Sequence, residues 1–167
     1  RSWLWRRRFV RNHDCHGARL PGAYEGGCRH CPQCHSANHQ VSHHQIQPGF
    51  THRGSFAEFL ATHYADVNLG RLPHEMAFAT AASLGCRFAT SYRSVPDPGR
   101  VSAGQLGAVP GCAGAALSAI MIATALGANV IAVDIAEEKL ARARQLGSAA
   151  TLNANVVTNV AEAIRDL

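Results

Sequence analysis

At 167 residues, with 47% apolar and 16% charged side chains, the chain has the composition of a globular protein with room for one ordinary domain or two small ones, and not of a disordered or fibrous one. Its formal charge is +5, and 15 of the 16 basic residues are arginine, with seven of those in the first 29 positions, so the basicity is local. Six cysteines in clustered spacing, without a secretory apolar stretch, point to thiols held by metal in a reducing compartment rather than to disulfides, and the chain reads as cytoplasmic.

The first segment, residues 1–16, opens "RSWLWRRRFVR" and continues into "HDCH" at His13–His16. Arginine interleaved with Trp and Phe suits phosphate contacts and base stacking. No basic stripe continues into a folded element, however, so this segment is read as an unassigned, poorly ordered end rather than a nucleic-acid site. All ten histidines lie between His13 and His74, whereas residues 75–167 hold none, which divides the chain in two.

Next comes "GCRHCPQCHSANHQVSHH", residues 27–44, with Cys28, Cys31 and Cys34 at a strict period of three. They offer three corners of a tetrahedral thiolate site, and a structural zinc needs four protein donors. Either something between Ser36 and His44 closes the site or the site is incomplete. Further on, "SFAEFLAT" reads as a short strand-like piece.

The second region reads as β-α-β-α-β-α. A strand at about residues 105–109 leads to a helix near Gly114 to Leu126, which Gly127 stops. The strand "NVIAV", the helix "AEEKLARARQL" stopped by Gly147, the short strand "AATLN" and the amphipathic "NVAEAIRDL" follow. Strands alternating with helices of this length predict a parallel sheet with right-handed crossovers. The apolar run "GAALSAIMIATALGANVIAV" is split by Gly127 and Asn129 into a helix and a strand, so no membrane span is expected.

The first strand-to-helix turn, "PGCAGAALSA", places Gly111, Ala113 and Ala116 where a dinucleotide fingerprint has three glycines, with Gly114 between them. Ala113 adds a methyl group where the pyrophosphate should come closest, and Pro110 removes a ladder N–H from what should be a central strand. Downstream, Asp134 ends the second strand 23 residues after Gly111, where a carboxylate can accept both ribose hydroxyls of NAD and repel the extra phosphate of NADP. The same aspartate could instead cap the following helix. Strand, glycine turn, helix and acid in that order favour the cofactor reading.

"CRHCPQC", "GFTHRGSFAEF", "AASLGCRFATSYRSV", the degenerate glycine turn and "VIAVDIAEEKL" occur in the order found in zinc-dependent medium-chain alcohol dehydrogenases, and the chain resembles that family over roughly residues 17–167. The resemblance implies an α/β chain. A partial GroES-like β domain, residues 17–89, would carry a structural zinc lobe at 27–44, and residues 90–167 would form the first half of a Rossmann parallel sheet that binds NAD. Cys28, Cys31 and Cys34 then match three of four lobe cysteines, and the fourth falls on Ser42, a poor zinc ligand beside thiolates. His43 or His44 could complete a Cys3His site; the alternative is a lobe that has lost its metal. Cys86 matches a ligand of the catalytic zinc, and Thr90 matches a residue lining the nicotinamide site. Gly111, Cys112, Ala113, Gly114, Ala115 and Ala116 match the pyrophosphate loop, with Cys112 an ordinary variable position in it. Asp134 and Lys139 match the pair that binds the adenosine ribose.

In that family two more catalytic ligands lie further upstream of the lobe than this chain extends, "HDCH" lies too close to the lobe to align with them, and the second half of the sheet is not represented. The expectation is therefore a fragment of a zinc-type, NAD-dependent alcohol dehydrogenase, inactive alone, whose family acts on small alcohols and aldehydes and assembles as homo-oligomers. The competing class is a zinc-stabilised binding module using the arginine-rich start for nucleic acid.

Overall fold

Two helices of the chain end in the same way, and their ends show how the local sequence builds the fold. The computed structural model describes residues 26–54 and 62–167. The chain divides into two units, Arg1–Gly85 and Cys86–Leu167, a few residues ahead of the expected 89/90 division. Residues 1–16 and nearly all of "SFAEFLAT" lie outside the described residues.

In the described part of the first unit, short helical turns alternate with loops: α1 (Pro32–His35), a 3-10 turn (His39–Val41), α2 (Ala65–Asn68) and α3 (Phe78–Ser83). Pro32 begins α1, where its missing N–H costs nothing because the first turn leaves that donor unpaired anyway. The loop from Gly26 to Ile46 is closed by a reciprocal pair of backbone bonds, Gly26 N to Ile46 O at 2.8 Å and Ile46 N to Gly26 O at 2.9 Å. Buried Asn68 then clamps this closure: its Oδ1 accepts from Gly27 N at 2.8 Å, and its Nδ2 donates to Gly27 O at 3.1 Å and His63 O at 3.0 Å.

A π-helical turn, Leu84–Phe88, spans the division and runs into α4 (Ala89–Ser94). There follow β1 (Leu106–Pro110), α5 (Gly114–Ala125), β2 (Asn129–Asp134), α6 (Glu137–Gln145), β3 (Ala150–Asn153) and α7 (Val160–Arg165). The three strands form a parallel sheet in the order β1-β2-β3. This is the βαβαβ arrangement expected from the sequence.

β2 is the central strand, and Val130, Ile131, Ala132 and Val133 are all buried, as a strand covered on both faces requires. Ile120, Ile122 and Ala123 of α5, Leu140 and Ala143 of α6, and Val95 after α4 complete its core. α5 and α6 both close in Schellman motifs. Gly127 (φ +82°) donates to Thr124 O and Ala128 to Ala123 O, while Gly147 (φ +101°) donates to Arg144 O and Ser148 to Ala143 O. α6 also carries Glu137 and Glu138 in its first turn and Arg142 and Arg144 in its last, the signs its dipole favours.

Pro110 proves compatible with its strand. β1 has a partner on one side only within the described sheet, and Pro110 is its last residue, opposite Val133. Backbone donors alternate sides along a strand. Because Gly111 N bonds Val133 O at 2.6 Å, the ring nitrogen of Pro110 faces away from β2, on the side where the described sheet has no strand.

Candidate cofactor site and cysteine lobe

The end of β2 and the turn after β1 are joined through one carboxylate. Asp134, 8% exposed, accepts from Cys112 N through Oδ2 at 2.7 Å and from Ala136 N through Oδ1 at 2.9 Å. Lys139 Nζ lies 3.8 Å from Oδ1. The Ala136 N–H, together with the Cys112 N–H and the Lys139 ammonium, holds the Asp134 carboxyl below the usual carboxylate range against the opposing effect of burial. Asp134 does not cap α6, whose N-cap is Ala136 and carries no side-chain cap bond; it holds the backbone N–H of Ala136 instead and so ties the residue before α6 to the glycine turn. Burial, and then the Asp134 charge, push the neighbouring Cys112 thiol up, so that it is an inert buried sulfur.

The turn itself is open. Gly111 takes φ +80°, a conformation that favours glycine, and a Cβ placed there would meet nothing within 4 Å. Cys112, Ala113, Gly114, Ala115 and Ala116 follow it into the first turn of α5, with Ala113 exposed at the N-cap. No side chain caps α5, so its first-turn N–H groups and the positive end of its dipole are presented at the turn. A glycine turn, an uncapped 12-residue helix and an acid at the adjacent strand end have the chemistry a dinucleotide site needs, N–H groups for a pyrophosphate and a carboxylate for ribose hydroxyls.

Sequence reasoning passed over one neighbour of this turn. Arg87, in the π-helical turn, lays its side chain against Gly114, so that a Cβ there would come within 2.7 Å of its Nη1. Buried Ser91 holds the segment in place, its hydroxyl 2.7 Å from Ala115 O and 3.0 Å from Arg87 O. The signal was present only as a basic residue beside Cys86, and nothing in its sequence position relates it to Gly114, 27 residues on. Cys86 in the same turn and Thr90 on α4 are both exposed. Cys86 does not belong to any group of three potential metal donors among the described residues.

The lobe residues do come together. The Sγ atoms of Cys28, Cys31 and Cys34 lie within 4.8 Å of one another, all three buried, and they are the one such group among the described residues. Gly27 permits their approach, since a Cβ on it would come within 3.0 Å of Cys34 Sγ. Burial raises the Cys31 thiol, but the backbone N–H groups of Cys34 and His43, the Ser42 hydroxyl and the Cys34 side chain outweigh it and bring it down to about 5. The Ser42 hydroxyl is also the main influence lowering Cys28. Three buried thiols, two of them biased toward thiolate, suit a thiophilic cation such as zinc. At the fourth position it is Ser42, buried, whose side chain stands beside the thiols, with Oγ 3.6 Å from Cys31 Sγ; His43 and His44 are exposed and do not join the group.

Residues 114–167 match the zinc-binding dehydrogenase family. The chain is 31% identical over 134 residues to an alcohol dehydrogenase of Geobacillus stearothermophilus, a match covering 80% of this chain and 39% of that one. It is 32% identical over 146 residues to alcohol dehydrogenase 1 of Neurospora crassa, covering 84% and 40% respectively. Among solved structures it resembles an NAD-dependent alcohol dehydrogenase with a TM-score of 0.80 and 28% identity, over 90% of this chain and 43% of that one. The chain therefore spans about 40% of the length of the curated relatives it matches.

Proposed function

Since the chain belongs to the zinc-type medium-chain alcohol dehydrogenase family, we propose that residues 86–167 bind the adenosine side of NAD, in a protein that oxidises alcohols to aldehydes or ketones. In this reading the α5 start takes the pyrophosphate, Asp134 accepts the ribose hydroxyls with Lys139 beside it, and Arg87 adds a cation over the turn. Bound NAD supplies the hydride acceptor; this chain's own residues bind and orient it. The observation that carries the reading is the position of Asp134, buried at the end of β2 and bonded to the N–H of Cys112 in the glycine turn.

Cys28, Cys31 and Cys34 would hold a zinc that organises the lobe, a site where metal supplies folding energy rather than chemistry. Cys86 would contribute one ligand of a catalytic zinc, with Thr90 near the nicotinamide. Among the described residues Cys86 belongs to no group of three potential donors, and a catalytic zinc takes three protein ligands, so residues 86–167 are expected to bind NAD without turning over alcohols.

Titration calorimetry of the full chain against NAD, ADP-ribose and NADP tests the cofactor reading. NAD and ADP-ribose should bind alike and more tightly than NADP, because Asp134 faces the position of the extra phosphate. Preference for NADP, or NAD affinity unchanged in Asp134→Ala, would count against it.

A further inference from the structure

The Ser42 hydroxyl sits where a fourth donor of the lobe would be, but its hydrogen bonds define what it can give. A serine hydroxyl has one hydrogen and two lone pairs. Ser42 Oγ accepts from the backbone N–H of Cys28 at 3.3 Å and from that of His44 at 3.3 Å, which takes up both lone pairs. Its hydrogen is left for a thiolate, and Cys31 Sγ is 3.6 Å away. An oxygen that accepts twice and donates toward a sulfur has no lone pair to offer a cation. The two histidines that follow are exposed and outside the thiol group.

We propose that, among the described residues, the lobe is a three-sulfur site, selective for a soft ion that is satisfied by three thiolates, and that Ser42 is a positioning residue rather than a ligand. The inference rests on the lobe being a metal site at all. Zinc requires four donors and would have to complete its shell with solvent, which exchanges. An ion that is complete with three sulfurs meets no such requirement, and thiolates favour soft ions generally. Trivalent arsenic is the plainest probe. Arsenous acid condenses with three thiols to form three As–S bonds, releasing three waters, each made from an arsenic hydroxyl and a thiol proton, with no change of oxidation state.

The test uses the full chain, reduced with a phosphine, loaded with zinc and titrated with arsenite, while released zinc is followed with a chromogenic chelator and As–S coordination by X-ray absorption. One arsenite per chain should displace the zinc and show three As–S bonds. Ser42→Ala should weaken zinc and arsenite together, by about tenfold, leaving their ratio and the sulfur count unchanged. Ser42→Cys, which supplies a fourth thiolate, should shift the ratio toward zinc by about tenfold or more. Replacing His43 and His44 with alanine should alter neither ion. A zinc shell containing imidazole nitrogen that disappears in the His43/His44 variant would overturn the inference, as would an unchanged ratio in Ser42→Cys. If Ser42→Cys fails to fold, the sulfur count in the wild-type chain and in Ser42→Ala still decides. Failure of zinc and arsenite alike to bind the reduced chain would sink the metal reading itself, a result distinct from a four-donor site.

Discussion

The Asp134 carboxylate and the Cys112 N–H meet at 2.7 Å, so the acid that would read the ribose also fixes the turn that would hold the pyrophosphate. Removing it has two separable effects. Asp134→Ala leaves a buried N–H without its acceptor and should cost about 1–3 kcal/mol in urea unfolding. It should also remove the preference for NAD over NADP, which calorimetry reads independently of stability.

Acid should weaken the same contact. The Asp134 carboxyl is held below its ordinary value, so the unfolded chain takes up a proton near pH 3.9 while the folded chain still resists. The contribution to stability is therefore present above about pH 4 and is lost as pH falls through the lower, folded value. In urea unfolding followed from pH 7 to pH 3, the gap in stability between the wild-type chain and Asp134→Asn should stay constant at the upper end and close at the lower.

Arg87 and Gly114 should behave as one unit in cofactor binding. Arg87→Ala removes a cation beside the proposed pyrophosphate position and should lower NAD affinity by about tenfold, the worth of a charged hydrogen bond, while making binding less sensitive to salt. Gly114→Ala displaces the same side chain, so it should weaken NAD without loss of stability. The double variant should bind no more weakly than the worse single one; additive losses in calorimetry would show that the two act separately.

The two kinds of left-handed glycine in the second unit should differ in what they tolerate. Gly104 (φ +79°) has nothing within 4 Å of a Cβ, so Gly104→Ala should cost only the backbone term, about 1–2 kcal/mol. At Gly147 a Cβ would also come within 2.8 Å of Thr124 Cγ2. Gly147→Ala should therefore cost about 1–3 kcal/mol more, read from thermal or urea unfolding of the two variants side by side.

What was legible in the sequence was local. The helix stops at Gly127 and Gly147 and the strand at residues 129–134 follow from patterns a few residues long, and Asp134 from its spacing to Gly111. What was not legible depends on pairs far apart in the chain. Asn68 holds Gly27 across 41 positions, and Arg87 meets Gly114 across 27. Ser42 looked like a poor fourth ligand by residue type alone; its role depends on where two backbone N–H groups point, which spacing does not encode. Pro110 reads as an obstacle if its strand is central; in the described sheet β1 is at the edge, and the alternation set by Gly111 turns the missing donor away from β2.

The dominance of arginine over lysine has an experimental consequence. Lys139 is the only lysine in the chain, and it is half exposed, 3.8 Å from Asp134. An amine-directed fluorophore or acylating reagent therefore finds a single side-chain address in these 167 residues, and that address borders the proposed ribose position. Occupancy of the proposed cofactor site can be followed as protection of one tryptic peptide in a mass spectrum, with no engineered tag.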